Sequence, residues 1–339
     1  MINRNRLLVC IIFVFCCFNL QAKPLNLVTT EWETFTSDGS HSARLNDFVV
    51  QAFERSGQEV KITIERPAFA GSGLNTGKYD GRIDFIDLNP QQTEFSYSQQ
   101  YFPVRLHLIS KKPDVESVRT FSQIRDARVA IENRYASTPP LRLVREVKWS
   151  RNPTTFQSIA NLAGERSNFL LSDSLMFSEF NRLLYAENEE VLHKSNAAMF
   201  VTGLQVSLNN NNESAASILQ AFNQSAEEML VDGSVNSIFG IEWILADIDK
   251  DGIADWISSA SVNHPNLGSS DYPGSILDSA YQWDDNDTSN ASKIVIDGKT
   301  YVTWAAASEF LKEQITTDRR ETRISFLDES AYKSILSKW

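Results

Sequence analysis

The order of the first three periodic segments constrains the fold most. Leu25-Asn-Leu-Val-Thr-Thr alternates as a short strand. Leu45 to Arg55 (LNDFVVQAFER) carries apolar residues at helical spacing and stops at Ser56-Gly57, and Val60 to Ile64 alternates again. Strand, helix, strand is the opening of an α/β sheet. Ligands of open α/β sheets bind at strand ends, which makes Arg66, just beyond Val60 to Ile64, a candidate contact. The alternative is a solvated surface arginine.

Gly77 to Phe102, GKYDGRIDFIDLNPQQTEFSYSQQYF, carries the next information. Gly-Lys-Tyr-Asp punctuates a helical pattern, and Arg82 to Leu88 reads as a strand. Asn-Pro-Gln-Gln-Thr-Glu follows, and Phe95-Ser-Tyr-Ser-Gln-Gln-Tyr-Phe leads into an apolar strand from Val104 to Ile109. Downstream, Arg128 to Glu132 is a strand, Thr155 to Gly164 a helix, and Asn168 to Leu175 a strand running into a loop. Ala197 to Leu208 reads as strands, and Ala215 to Leu230 as an amphipathic helix.

In the order of its turn, strand, polar segment and aromatic segment, the stretch resembles the first lobe of bacterial extracellular solute-binding proteins of the polar amino-acid type (family 3). Those proteins carry G-K-Y-D, T-P-E-R and F-S-D-P-Y-Y in that order. Asp232-Gly233-Ser-Val-Asn-Ser-Ile-Phe-Gly240 resembles the family's closing D-G-T segment, so the likeness spans residues 25 to about 243.

The resemblance implies an α/β fold of the two-lobed periplasmic binding protein type II class, each lobe a sheet flanked by helices. It implies lobe 1 over 23–112, lobe 2 over 113–208 and closing helices over 209–243, leaving a small α+β extension over 244–339. Trp32 and Phe35 fall in an aromatic loop at the mouth of the family's cleft; an aromatic at the edge of the core is the alternative for Trp32. Ser137 and Thr138 fall where the family has a Gly-Thr-Thr ligand contact, although simple N-capping before Pro139 explains the same residues. Asp173 matches the aspartate that receives a ligand ammonium, and helix capping is again the alternative. The family arginine that grips an α-carboxylate is replaced here by Gln91 or Gln92, and glutamine supplies no charged fork. Asp84 and Asp87 stand where the family has small or hydroxyl residues, and Asp87 joins the candidate contacts. A cationic or uncharged polar ligand thereby competes with a standard amino acid.

Residues 1–22 read as a secretory leader, with basic Arg4 and Arg6, an apolar run from Leu7 to Phe18 and cleavage near Ala22. Periplasmic location follows, and no later stretch is apolar enough to insert in a membrane. All three cysteines (Cys10, Cys16, Cys17) lie in the leader, so the mature chain has no disulfide or Cys-ligated metal. Net charge is −11, and loss of Arg4 and Arg6 takes it to −13, which argues against nucleic acid as a partner. No Gly-x-Ser-x-Gly, phosphate loop or metal-spaced histidines appear among His41, His107, His193 and His264, and the sequence reads as a non-enzyme. The expected partners are a small polar solute and, by resemblance, an ABC transporter permease or an envelope sensor; a scaffold role is the alternative.

The extension contains Asp247-Ile-Asp249-Lys-Asp251-Gly252-Ile-Ala-Asp255. Acids at alternate positions followed by glycine fit the start of an EF-hand-type calcium loop, with Asp247, Asp249, Asp251, Asp255 and the Ile253 carbonyl as ligands. Position 12 is Ser258 rather than an acid, so calcium should bind weakly unless a distant carboxylate such as Asp284 completes the shell. A solvated acidic turn is the alternative. No cofactor besides this possible Ca²⁺ is expected. Further on, Asp297-Gly298 marks a β-hairpin, Ala305 to Ile315 an exposed helix, and Arg319-Arg320 a basic turn.

Overall fold

The computed structural model describes residues 23–33, 35–37, 44–277, 279–315, 327, 329–337 and 339. The expected leader, Thr34, His41 and Arg319-Arg320 lie outside the described residues.

β1 (Leu25–Thr30), α1 (Arg44–Arg55) and β2 (Val60–Glu65) form the parallel unit that the periodicity requires, in register from Leu25↔Val60 to Thr30↔Glu65. Leu45, Phe48, Val49, Ala52 and Phe53 make one buried stripe on α1, the spacing of a single helix face. After α2 (Pro67–Asn75), Gly77 takes the left-handed conformation (φ 73°) and turns the chain into β3 (Gly81–Ile86), parallel to β1. At Gly81 a Cβ would collide with the Ser207 carbonyl of the neighbouring strand, so only glycine lets the two backbones meet there. β4 (Phe95–Tyr97) and β5 (Phe102–Ser110) complete this half.

The second half runs β6 (Arg128–Glu132), α3 (Asn133–Ala136), α4 (Pro139–Leu143), β7 (Lys148–Asn152), α5 (Thr155–Ala163), β8 (Phe169–Asp173) and α6 (Ser174–Ala186). The sequence reading placed a loop after Asp173, whereas the chain enters the thirteen-residue helix α6 at once. Leu175, Met176, Phe180, Leu183 and Leu184 are its buried stripe, and their helical spacing was the signal for it. β9 (His193–Lys194), β10 (Phe200–Asn209), α7 (Ala215–Val231) and α8 (Ser234–Phe239) then lead back to the first half.

The main sheet has the order β2-β1-β3-β10-β5-β8-β6-β7, with β4 also paired to β10 and β9 to β5. β5 and β10 serve both halves. β5 bonds β10 from Phe102 to Leu106 and β8 from Leu106 to Ile109, while β10 passes from β5 to β3 at Leu204. Two adjacent antiparallel strands joining two halves are the connection about which a hinge can turn. The expected lobe boundary at residue 208 therefore falls at the end of a shared strand.

The C-terminal part forms a second sheet, ordered β13-β11-β12-β14-β15. It consists of β11 (Ile244–Ala246), β12 (Asp255–Ser258), the short helix α9 (Gly274–Leu277), β13 (Tyr281–Gln282), β14 (Ile294–Ile296), β15 (Lys299–Tyr301), α10 (Trp304–Ile315) and α11 (Glu329–Leu336). Asp297 and Gly298 join β14 to β15 with φ of 49° and 75°, the left-handed pair that a two-residue hairpin turn needs. Trp304 packs edge-on against Trp243 and Trp256, with ring centroids 5.2 and 5.1 Å apart. The helix expected to be exposed buries Ala307 and Leu311 against this small core, because one face of an amphipathic helix must be covered.

This part is bound to the body at several places, among them α8, where Asn236 donates to the Ile257 carbonyl at 3.1 Å and Ser237 to the Ser259 hydroxyl at 3.1 Å. α11 lays Tyr332, Ile335 and Leu336 against Ile159, Phe180 and Leu184 of the second half, and the Trp339 ring meets Phe180 at 5.3 Å. At the hinge, Tyr281 and Trp283 each stand 5.5 Å from the Phe102 ring of β5. Tyr281 donates its hydroxyl to Pro103 O at 2.6 Å. Arg105 donates to the carbonyls of Gln282 at 2.8 Å and Asp284 at 2.6 Å, and to the Asp285 carboxylate at 2.6 Å.

The two halves are also joined directly. Arg44 at the start of α1 pairs with Glu179 of α6 at 2.7 Å, both side chains essentially without solvent contact. Taking two charges out of water is costly, so removing one of them leaves the other buried without this counter-charge. Glu179→Ala is expected to lower stability by about 3 kcal/mol. Denaturant unfolding checks this: the midpoint should fall with little change in slope, and an unchanged midpoint would show that the pair contributes nothing.

Candidate ligand cleft

Where the strands of the two halves end against each other, the space is filled by the protein's own side chains. The loop after β1 brings Trp32 and Phe35 together, ring centroids 4.3 Å apart, with 2% and 0% exposure. From the other side, α3 starts directly after β6 and aims its single turn back at the first half. Its Tyr135 meets Trp32 edge-on at 6.0 Å, and Phe35 leans on Phe102 of the hinge strand at 6.1 Å.

Arg134, on the same turn, closes the gap. Its guanidinium lies 4.0 Å from the Trp32 ring centroid, donates to the Glu31 carbonyl at 2.8 Å and pairs with the Glu132 carboxylate at 3.3 Å. Glu132 is buried and also accepts from the Thr155 hydroxyl at 2.8 Å. Facing it from the first half, Asp84 on β3 is buried and accepts a forked pair from Arg82 at 2.8 and 2.6 Å, and from the Thr30 hydroxyl at 2.9 Å. Burial opposes ionisation of Asp84, but the charges of Arg82 and then Arg134, with the Arg82 and Thr30 hydrogen bonds, hold its carboxyl below the usual range. A guanidinium on an aromatic face, with a carboxylate from each half around it, is the arrangement of a cation seat.

The residues singled out from sequence are distributed unevenly about this cleft. Trp32 and Phe35 form its floor as buried core aromatics. Asp173 is 2% exposed and accepts from the Met176 amide at 2.8 Å, so it is the N-cap of α6. Tyr281 of the C-terminal part faces it, burial and then the Asp173 charge raising the phenol's pKa. Thr138 is buried and gives its hydroxyl to the Tyr135 carbonyl at 2.7 Å, making no side-chain cap on α4, while Ser137 is exposed. Gln91 and Gln92 are exposed, Gln91 donating to Gln205 at 3.3 Å.

Two candidates stand apart from this buried group. Asp87 lies one residue past the end of β3, exposed and held by Gln100 at 2.5 Å; strand alternation turns Asp84 inward instead. Arg66 is exposed at the end of β2, an edge strand three places in strand order from the hinge. The sequence reading did not single out Arg134 or the Arg44–Glu179 pair. Arg134's position two residues after a strand was its only signal, and long-range charge pairing leaves none.

In the second sheet, the carboxylates of Asp247, Asp249 and Asp251 lie within 4.8 Å of one another. The flanks of this turn are strands β11 and β12, not the helices of an EF-hand, because the residues on both sides alternate into a sheet. Ser258, at position 12, is buried on β12 and bonds the Glu242 carbonyl. The Asp284 oxygens accept the amides of Asp247 at 2.7 Å and Asn286 at 3.0 Å. A separate open groove of about 360 Å³, lined by Phe121, Pro140, Leu143, Val144 and Phe200 among others, lies on the second half away from these charged groups.

No protein-family model matches the sequence, and no curated protein matches it. Solved structures match its fold. The ligand-binding core of GluR0, in complex with L-glutamate, superposes with a TM-score of 0.53 at 12% identity, covering 64% of this chain and 97% of that one. The VFT2 domain of Bordetella pertussis BvgS gives 0.51 at 12% identity, over 63% and 91% of the two chains. The fold is that of a type II periplasmic binding protein. A Streptococcus pneumoniae amino acid ABC transporter substrate-binding protein bound to L-arginine is also similar, at a TM-score of 0.47, 14% identity and 63% and 92% coverage. At these identities the likeness is one of fold, and the fold class expected from the sequence is met. The binding-protein body accounts for roughly two thirds of the chain, as those coverages show. Among the described residues no helix is long and apolar enough to cross a membrane.

Asp173 gives this binding-protein fold a defined pH response. Its pKa is raised from 3.8 to about 6, chiefly by burial and further by the Glu132 charge. The folded chain thus holds a proton that the unfolded chain has released, and this contribution to stability is lost as pH rises through that window. Asp173→Asn keeps an N-capping side chain and removes the ionisation. Relative to wild type, its melting temperature should gain progressively between pH 4 and 7, by up to about 3 kcal/mol in stability. A difference that is flat with pH would mean that Asp173 stays ionised in the fold.

Proposed function

We propose that the protein is a solute-binding protein of the cell envelope whose interlobe cleft takes a small organic cation, an amine or a guanidine. The observation that carries this is the seat of Arg134. Its guanidinium lies on Trp32 between Glu132 and the Glu31 carbonyl, with Asp84 close enough for the two charges to act on each other. A ligand cation that displaced it would meet the same aromatic face and the same acceptors. Among the described residues an α-carboxylate finds no comparable partner at this seat, since the cleft's carboxylates already claim Arg82 and Arg134.

A ligand must compete with a tethered side chain, so binding is coupled to movement of α3 relative to the first half. A ligand bridging the two halves of a type II fold stabilises the closed state by its differential affinity for it. The buried Arg44–Glu179 pair and the contacts of the C-terminal part on β5 favour the closed arrangement without a ligand. This supports sensing or docking by the closed form over repeated delivery to an ABC transporter. The leader-like segment 1–22 supports placement in the periplasm.

Thermal-shift and tryptophan-fluorescence titrations with methylammonium, putrescine and methylguanidine test the reading on wild type and Arg134→Ala. The variant vacates the seat and should bind methylguanidine at least tenfold more tightly than wild type, with a change in Trp32 emission. Methylguanidine binding to neither protein would remove the cation reading and favour a scaffold.

A further inference from the structure

The acidic turn between β11 and β12 carries an observation that a solvated loop does not explain. Asp255 is 3% exposed, and while its Oδ1 accepts the Lys293 amide at 2.7 Å, its Oδ2 is buried with no hydrogen-bond donor. A buried carboxylate oxygen without a donor is costly and calls for a counter-charge. Asp255 pairs across the hairpin with Ala246, the residue before Asp247; it stands outside the 4.8 Å group of Asp247, Asp249 and Asp251, yet the charges of Asp249 and Asp251 both reach its carboxyl. Lys293 Nζ sits on Asp249 Oδ2. Lys293 and Lys250 of the turn itself are outnumbered by the four carboxylates.

We propose that this turn binds a single Ca²⁺ ion through Asp247, Asp249, Asp251, Asp255 and the Ile253 carbonyl. Hard oxygen donors of this number, completed by water, suit the six to eight ligands that Ca²⁺ takes. The strand β12 begins at Asp255, so no twelfth-position side chain swings back, and the fifth donor is Asp255 itself. Lys293 leaves Asp249 when the ion enters.

The site is wired to the hinge. Asp247 Oδ2 accepts from the Asn286 amide at 3.1 Å, and the Asp247 backbone amide donates to Asp284 at 2.7 Å. Asp284 and Asp285 are the residues on which Arg105 of β5 fastens. An ion that fixes the turn therefore also fixes residues 283–287 where they clamp the hinge strand.

Calorimetric titration of the chelator-treated protein with CaCl₂ tests this, with hydrogen exchange followed across residues 283–287. The expected result is one site with a dissociation constant on the order of 10⁻⁴–10⁻³ M, a raised melting temperature and slower exchange in that segment. Asp251→Asn keeps an oxygen for the Ile253 amide that Asp251 now accepts at 2.9 Å. It should weaken binding at least tenfold, yet leave the calcium-free melting temperature equal or higher, because a like charge is gone. A calcium-free loss of stability in that variant would give the acids a purely structural role and overturn the proposal. So would the absence of heat and thermal shift at 10 mM CaCl₂, or an equal shift with MgCl₂.

Discussion

Everything in this chain hangs on two neighbouring strands that belong to both halves. β5 and β10 pair antiparallel around Phe102–Leu106, and each then continues into a different half of the sheet. Their junction is dry and aromatic: Phe102 stacks on Phe239 at 4.3 Å and is flanked by Phe35, Tyr281 and Trp283. Such rings bury large apolar areas with specific geometry, which holds the connection in one arrangement. First half, closing helix and C-terminal sheet all meet at this one side chain.

The polar interior is arranged around the same junction. Arg44–Glu179, Arg82–Asp84 and Arg134–Glu132 are ion pairs with a buried carboxylate, and each sits where segments distant in sequence or opposite halves come together. Buried pairs are poor sources of net stability, because desolvation offsets most of the attraction. For Arg44–Glu179, the one of the three that crosses between the halves, the cost falls on the wrong arrangement: a half displaced by one strand or one turn would leave Glu179 buried without Arg44. In that sense the charges specify closure, and the aromatic junction supplies its strength. His107, on the hinge strand beside the Ser195 carbonyl at 2.7 Å, is kept neutral by burial, with its pKa lowered to about 4. Hinge and cleft therefore respond in opposite senses as pH falls from 6.5 towards 4: the unfolded histidine gains a proton the fold refuses, while Asp173 gains one the fold retains.

The C-terminal part converts a two-half body into a braced one. Its own core of Trp243, Trp256 and Trp304 is small, and its outermost contacts are made on other parts of the protein. Tyr332 and Trp339 complete the second half beneath Phe180, and Tyr281 covers Asp173. A carboxylate whose counterpart in the amino-acid binding proteins is expected to face ligand is here an N-cap under a phenol.

The sequence by itself determined the local units. Alternation at Leu25–Thr30 and Val60–Glu65, the apolar stripe of α1, the Gly77 turn and the Asp297-Gly298 hairpin all follow from periodicity and backbone chemistry, and together they identify the α/β class. The order of motifs from Gly77 to Phe102 pointed to the type II fold. Tertiary structure alone decided which polar residues share the cleft. Asp84 and Asp87 are three residues apart and chemically identical, yet strand alternation and the end of β3 bury one and expose the other. Arg134 lies 102 residues from Trp32 and Glu179 135 from Arg44, and no local pattern records a contact of that range. Such pairings are fixed only when the sheet order brings strand ends together, because side-chain electrostatics acts through space and not along the chain.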